Sequence, residues 1–194
     1  VGGGGAATPA SQVTKSAKAF KKAAPSQGWG MTETNGGAVV NSGQEYLDNP
    51  TSCGKALPVV QLKTVDVDTG ADLPAGAKGE LCVKSVLVMR EYWNKPEATA
   101  KELSHDGWFK TGDIARINEE GFVFILDRAK DLIIRGGENI SCAEVENAFF
   151  EVDSVMEACA FGVAHERLGE EVGVMVYFKP GMSSTVEDMI AHAK

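Results

Sequence analysis

The sequence contains no apolar run near the ~18 residues that a membrane-spanning helix requires, so no membrane span is expected. No charged segment leading into an apolar stretch opens the chain, so no secretory leader is expected either. Basic residues are in deficit: Lys plus Arg total 19 against 27 Asp plus Glu, for a net charge of −8. That balance excludes a dedicated nucleic-acid binder, which needs a basic face. Histidine is scarce. His105, His165 and His192 stand apart without metal-ligand spacing, and His165-Glu166-Arg167 has no second histidine to make a zinc pair. Cys53, Cys82, Cys142 and Cys159 form no C-x-x-C pair and read as reduced thiols of a cytoplasmic protein. Neither a G-x-S-x-G elbow nor a G-x-x-x-x-G-K-[ST] phosphate loop occurs.

What is present is the composition of a folded chain. Hydrophobic residues make up 43% and charged residues 24%, which suits a packed core and excludes disorder. A length of 194 residues allows one large domain or two small ones. The chain starts at Val1 rather than Met and ends at Lys194 inside a helical pattern, which predicts a piece of something longer. Oligomeric state leaves no trace in the pattern.

Periodicity divides the chain into regions. Val1 and the glycines to Gly5 read as a strand end entering a tight loop, and a helix is expected from Ala10 to Ala23. Its apolar stripe is Val13, Ala17, Phe20 and Ala24, opposite a solvated lysine face. Strands are expected over Val59–Val65, Gly79–Val88 and Gly121–Asp127, with Leu81 and Val83 alternating against Glu80, Cys82 and Lys84. Turn residues between them predict a small, mostly antiparallel β unit. Asp66-Val67-Asp68-Thr69-Gly70 resembles the start of a calcium loop but lacks the closing ligands, so it reads as a hairpin turn.

After Asp127 the pattern changes. Leu132 to Ile134 form a short strand, and Ser141-x-x-Glu144 reads as a capping box opening a helix with Val145, Ala148, Phe149 and Val152 on one face. Strands follow near Val155–Val163 and Val172–Phe178. A second capping box, Ser184 to Glu187, opens a helix with Val186, Met189, Ile190 and Ala193 on one stripe. The expected fold class is α/β plus α+β.

Three segments carry possible chemistry, each with a plainer reading beside it. Gly28-Trp29-Gly30-Met31-Thr32-Glu33-Thr34 presents an indole that can stack on a planar base, then a hydroxyl and a carboxylate suited to Mg²⁺ or phosphate. Alone, it is a loop with a buried Trp. Thr111-Gly112-Asp113 is a turn whose carboxylate can accept both hydroxyls of a ribose, or an ordinary turn. Asp127-Arg128-Ala129-Lys130-Asp131, followed by Gly136-Gly137-Glu138-Asn139, puts fixed charges where the two styles meet. That suits a hinge, or surface ion pairs worth well under about 1 kcal/mol.

Taken in order, these segments resemble the adenylate-forming ligase superfamily: acyl-CoA synthetases, beetle luciferases and peptide-synthetase adenylation domains. The collinear series starts with Gly-Gly-Gly-Gly-Ala-Ala and Gly-Trp-Gly-Met-Thr-Glu-Thr. It continues with Gly79-Glu80-Leu81 and Tyr92-Trp93-Asn94-Lys95-Pro96-Glu97-Ala98-Thr99, then Asp106 to Asp113, Asp127 to Ile133 and Gly136 to Ile140. Glu144-Val145-Glu146 and Arg167-Leu168-Gly169-Glu170 close it. Asp-Arg-x-Lys-Asp and Gly-Gly-Glu-Asn-Ile resemble the acyl-CoA synthetase branch most.

The resemblance implies that ATP and a carboxylate give an acyl adenylate and pyrophosphate with Mg²⁺, after which CoA displaces AMP. It implies residues 1–53 as the end of a large N-terminal adenylating domain, 54–127 as its small antiparallel β subdomain, and 128–194 as part of an α+β C-terminal lid domain. Gly5, Ala6 and Ala7 match the loop along the adenine and acyl group, and Gly28, Trp29 and Gly30 the aromatic motif there. Thr32 matches the phosphate-contacting hydroxyl and Glu33 the Mg²⁺ carboxylate. Asp113 matches the ribose acceptor, Arg128 its polar partner and Lys130 the hinge. Gly136 and Gly137 match the backbone beside the pantetheine tunnel, and Asn139 a position facing the site in one of two states.

The family's phosphate loop would lie upstream of Val1 and its late catalytic Lys beyond Lys194, so the 194 residues alone are expected to show no turnover. Gly36-Gly37-Ala38 implies a roomy acyl pocket, suited to a fatty acid, with an aryl acid left open. An adenylating ligase with a non-CoA acceptor and a non-catalytic nucleotide-binding remnant are the alternatives. Four positions depart from the family pattern: Ala7 and Cys142 stand where Pro is common, and Ser85 and Glu91 where Gly is usual. Positive φ at Ser85 or Glu91 would mean local strain.

Overall fold

The computed structural model describes residues 2–3, 13, 18–19, 24–129 and 131–192. The chain divides into two compact units, Val1–Ile125 and Leu126–Lys194. It is a small α/β assembly in which antiparallel strand pairs dominate.

The first unit carries two sheets. One has the order β1-β2-β3-β4, from Gly2–Gly3, Ser26–Met31, Gly36–Ser42 and Lys55–Ala56. The other has the order β5-β6-β7-β8, from Val60–Val65, Lys78–Ser85, Phe109–Ile117 and Val123–Arg128, the last strand continuing past the unit's end at Ile125. Val39 of the first sheet packs with Leu81, Ala115 and Val123 of the second, and Cys53 completes the cluster. A second cluster joins Ala38 to Val60 and Val83. Trp29 is packed against both clusters, so the indole is a structural element as well as a site candidate. Short helices α1 (Gly43–Asp48) and α2 (Pro96–Glu102) flank the sheets in sequence. Of the helix expected over 10–23, Val13, Lys18 and Ala19 are helical, with Val13 buried and Lys18 and Ala19 exposed. Its other positions lie outside the described residues.

The alternation expected in β6 does not hold. Gly79, Glu80, Leu81, Cys82 and Val83 are all buried, so residues pointing to both faces of this central strand, paired on either side with β5 and β7, are shielded from water. Burial pushes the Cys82 thiol up to about 11, with the Glu80 carboxylate adding to the shift. The strand stops at Ser85, short of Val88. Ser85 ends it by donating from Oγ to the Val59 carbonyl at 2.9 Å and accepting from the Leu87 amide at 3.1 Å. Neither Ser85 nor Glu91 has positive φ, so no strain arises at either. The 66–70 segment is a turn: Asp66 Oδ1 accepts from the Asp68 and Thr69 amides and from the Thr69 hydroxyl.

The second unit carries one sheet, ordered β10-β9-β12-β11. Its strands are β9 (Ile133–Arg135), β10 (Glu138–Ile140), β11 (Val155–His165) and β12 (Gly169–Phe178). Helix α3 (Cys142–Phe150) is capped by Ser141, whose Oγ accepts from the Glu144 amide at 3.1 Å. Phe149 buries with Val155 and Met189 of α4 (Val186–His192), against Val145 and Val152. Cys142, in place of the commoner Pro, is buried at the first helical position and donates to the Asp131 carbonyl.

Two expectations are corrected here. The last helix is capped one residue later than expected. Thr185 Oγ1 accepts from the Asp188 amide and donates to its carboxylate, so the pair is Thr185/Asp188 and not Ser184/Glu187. Its stripe is also narrower: Met189 is buried, whereas Val186 and Ile190 are 70% and 51% exposed. Ala193 lies outside the described residues.

Candidate functional site

The site is built on β2. This strand pairs with β3, but the register slips between Trp29, opposite Val39, and Gly30, opposite Gly37. A methyl group on Gly30 would sit 2.1 Å from the Gly36 carbonyl oxygen, so only hydrogen fits. The two glycine-rich strand ends leave an open groove of about 400 Å³, lined by Gly28, Trp29, Gly30, Met31, Thr32, Gly36 and Gly37. Ala38, read with Gly36 and Gly37 as part of a roomy pocket, is instead fully buried in the core.

Gly30→Ala should force the backbones apart and destabilise the fold by about 1–3 kcal/mol, the usual range for overpacking. Gly37 has open space where its side chain would be, so Gly37→Ala is the matched control and should leave the melting temperature nearly unchanged. Thermal unfolding of the two variants checks this; equal melting temperatures would contradict the close approach at Gly30.

Beyond the groove, Thr32–Thr34 forms a single 3₁₀ turn. Thr34, fully buried, holds it. Its Oγ1 accepts from the Met31 amide at 3.0 Å and faces the carbonyls of Met31 at 3.0 Å and Gly36 at 2.7 Å. Asn35 closes the turn in the left-handed region and donates from Nδ2 to the Leu87 carbonyl at 2.8 Å. Thr32, at the groove, is thereby exposed and Glu33 half-buried.

The segment after β6 straps across this turn. The Met89 amide donates to the Glu33 carbonyl at 2.7 Å, and the Tyr92 hydroxyl donates to Glu33 Oε1 at 2.8 Å. Burial, then the Glu33 carboxylate, pushes the Tyr92 hydroxyl up to about 12, so it stays protonated and donating throughout the physiological range.

Asp113 reaches the same site from the other sheet. Trp29 Nε1 donates to Asp113 Oδ2 at 2.7 Å, joining residues 84 apart. The Thr-Gly-Asp segment is not a turn. It lies inside β7 at a bulge, where Glu80 opposes Ile114 and Cys82 opposes Lys110, leaving Thr111 to Asp113 opposite Leu81. Thr111 donates to the Leu81 carbonyl and accepts from the Asp113 amide, while Glu80 accepts from the Gly112 amide. The bulge therefore holds the Asp113 carboxylate, 7% exposed, on a braced backbone.

The remaining candidates lie in the second unit or outside the described residues. Arg128 ends β8, and Asp127 beside it is buried, unlike a surface ion pair. Gly136 and Gly137, with φ of +60° and +94°, form the two-residue turn of a β9–β10 hairpin pairing Arg135 with Glu138. Asn139 is exposed on β10. Gly5, Ala6, Ala7 and the hinge candidate Lys130 lie outside the described residues.

Comparison with known proteins bears on this geometry. Residues 1–93 match the family model described as AMP-binding enzyme. The mitochondrial medium-chain acyl-CoA ligase ACSF2 of Rattus norvegicus is 37% identical over 167 residues, covering 86% of this chain and 27% of that protein. The chain belongs to the AMP-binding enzyme family. Luciferin 4-monooxygenase of Nipponoluciola cruciata is 34% identical over 174 residues, covering 90% of this chain and 31% of that protein. Among solved structures, the o-succinylbenzoate CoA synthetase MenE of Bacillus subtilis, in complex with the acyl-adenylate intermediate OSB-AMP, is similar with a TM-score of 0.87 at 30% identity. It covers 97% of this chain and 38% of MenE. The chain thus spans about a quarter to two fifths of the length of these relatives.

For an AMP-binding enzyme, the donor set at the 3₁₀ turn fits Mg²⁺ held with a nucleotide. Among the described residues no group of three or more His, Cys, Asp or Glu could cage a metal. Mg²⁺ needs no such cage, because it takes one or two carboxylates and completes its shell with phosphate oxygens and water. Glu33 would supply one such carboxylate, which the Tyr92 hydroxyl orients through Oε1. Thr34 and Tyr92 are the parts of this site that reading the residues did not assign. The Asn35-Gly36 pair is a turn signal that points to Thr34's neighbourhood, whereas nothing local points from Tyr92 to Glu33.

Proposed function

We propose that this chain forms part of an ATP-dependent, AMP-forming acyl-CoA ligase acting on a fatty acid. The observation that carries the reading is the Trp29–Asp113 hydrogen bond. It joins the aromatic motif to the ribose-acceptor candidate beside a groove lined by Thr32, with Glu33 next on the adjoining turn. In this reading Gly28, Trp29 and Gly30 receive the adenine and acyl group. Asp113 accepts the ribose hydroxyls, with Arg128 as its polar partner, and Thr32 donates to phosphate. Glu33 would hold Mg²⁺, which supplies charge neutralisation on the phosphates. Fixed donors stabilise the charge that develops as the substrate carboxylate attacks the α-phosphate.

The proposed organisation is residues 1–53 ending an N-terminal adenylating domain, 54–127 its β subdomain and 128–194 part of a lid domain. The lid turns about Lys130, so that one pocket serves adenylation and then thioester formation with CoA. Gly5, Ala6 and Ala7 are assigned to the loop along the adenine and acyl group, Gly136 and Gly137 to the backbone beside the pantetheine tunnel, and Asn139 to a position that faces the site in one of the two states. The name of the rat relative supports a medium-chain acid. Four free cysteines suit a reducing compartment, cytoplasmic or, as that name has it, mitochondrial.

The test is pyrophosphate and AMP release by the complete native protein over a panel of carboxylic acids. Medium-chain fatty acids should give pyrophosphate, with AMP release requiring CoA. The luciferin 4-monooxygenase relative favours a second reading, an adenylating ligase with another acceptor; AMP release indifferent to CoA would select it. Absence of pyrophosphate with every acid would overturn both.

A further inference from the structure

We infer that Tyr92 is a positioning residue for the metal–nucleotide site: its hydroxyl fixes the Glu33 carboxylate so that Oε2 is left to the cation. The inference rests on the ligase reading above. Glu33 lies on a 3₁₀ turn whose backbone is fixed from both sides, by Thr34 within the turn and by the Met89 amide from the strap. Backbone fixation leaves the Glu side chain its own torsions, and an unrestrained carboxylate would sample several orientations. The Tyr92 hydroxyl, 2.8 Å from Oε1, removes that freedom. Among the described residues Oε2 accepts no hydrogen bond and Glu33 makes no ion pair.

Tyr92 is itself anchored. Its amide donates to Thr99 Oγ1 at 3.0 Å, and Thr99 Oγ1 donates to the Lys95 carbonyl at 3.0 Å, tying the strap to α2. The phenol therefore approaches Glu33 from a braced backbone. A protonated phenol is also the right donor for the task. It brings no charge to compete with the cation. A lysine in the same place would neutralise the carboxylate and repel the metal.

The test uses the complete native protein and its Tyr92→Phe variant, which keeps the ring and removes the donor. The readout is binding of Mn²⁺·ATP followed by electron paramagnetic resonance, with metal-free AMP binding and the melting temperature measured alongside. Loss of one charge-assisted hydrogen bond should weaken Mn²⁺·ATP binding about tenfold. Metal-free AMP binding should stay within about twofold, since the carboxylate serves only the metal. In a Glu33→Gln background the Tyr92→Phe change should have no further effect on Mn²⁺·ATP. Equal weakening of metal-free AMP and Mn²⁺·ATP would mean a general structural role, and unchanged Mn²⁺·ATP binding by Tyr92→Phe would overturn the assignment. Failure of the unaltered protein to bind either nucleotide would instead overturn the ligase reading, and the positioning role with it.

Discussion

Glu33→Gln in the complete native protein should lower pyrophosphate release by on the order of a hundredfold or more, the range seen when one fixed electrostatic stabiliser is removed. The substitution isolates charge. Gln retains the length of Glu and an Oε1 acceptor, so the Tyr92 hydroxyl at 2.8 Å keeps a partner. The Met89 amide bonds the backbone carbonyl of residue 33, which does not change. Glu33 is only half-buried, so the melting temperature should stay within the small range of surface substitutions, about 0.5 kcal/mol in stability. A neutral amide cannot offset the charge of a divalent cation among phosphates. The defect should therefore be partly relieved by raised Mg²⁺, while metal-free AMP binding should not move. Turnover equal to that of the unaltered protein would remove Glu33 from the metal site.

The local signals for this site are legible in the residues. Gly-Trp-Gly-Met-Thr-Glu-Thr marks a bent backbone, an aromatic, a hydroxyl and a carboxylate, and each is present in the groove or on the adjoining turn. What the pattern does not contain is their pairing. Trp29 and Asp113 meet only because the sheets carrying β2 and β7 pack through Val39, Leu81 and Ala115, and no spacing along the chain encodes that. Thr, Gly and Asp are turn formers, so Thr111-Gly112-Asp113 reads as a turn. The flanking strand instead continues through it as a bulge, stabilised by Glu80 from the neighbouring strand.

The same limit explains the missed burial in β6. Alternation reports a strand with one wet face, whereas Glu80 and Cys82 lie on a covered face where a single carboxylate is satisfied by the Gly112 amide. Gly136-Gly137, by contrast, is a two-residue hairpin signal open to inspection, and it accounts for a strand, β10, that apolar periodicity alone does not register. The capping shift from Ser184 to Thr185 is of another kind. Two hydroxyl residues stand side by side, each with an acid three residues on, so spacing alone does not choose between them.

Asp113→Ala should weaken AMP binding by the complete protein about a hundredfold, because the ribose hydroxyls would lose charge-assisted bonds worth about 1.5–3 kcal/mol each, partly recovered by water. The same change should cost stability. It leaves the Trp29 indole N–H, now 2.7 Å from Oδ2, without that acceptor in a part-buried setting, a loss of about 1–3 kcal/mol. The two effects are separable through Trp29→Phe, which removes the N–H and keeps an aromatic ring against both clusters of the core. That variant retains the carboxylate, so its AMP affinity should fall by only about tenfold, through lost orientation of Asp113.

Combining the two changes should be less damaging to stability than the sum of the single changes, since both remove the same bond. Isothermal titration with AMP and thermal unfolding of the three variants decide the matter. If Asp113→Ala binds AMP as the unaltered protein does, Asp113 is a bracket for Trp29 and not a ribose acceptor. If Trp29→Phe weakens AMP as much as Asp113→Ala, the recognition lies in the indole's hold on the carboxylate. The contact at 2.7 Å would then carry the specificity that the carboxylate alone had been assigned.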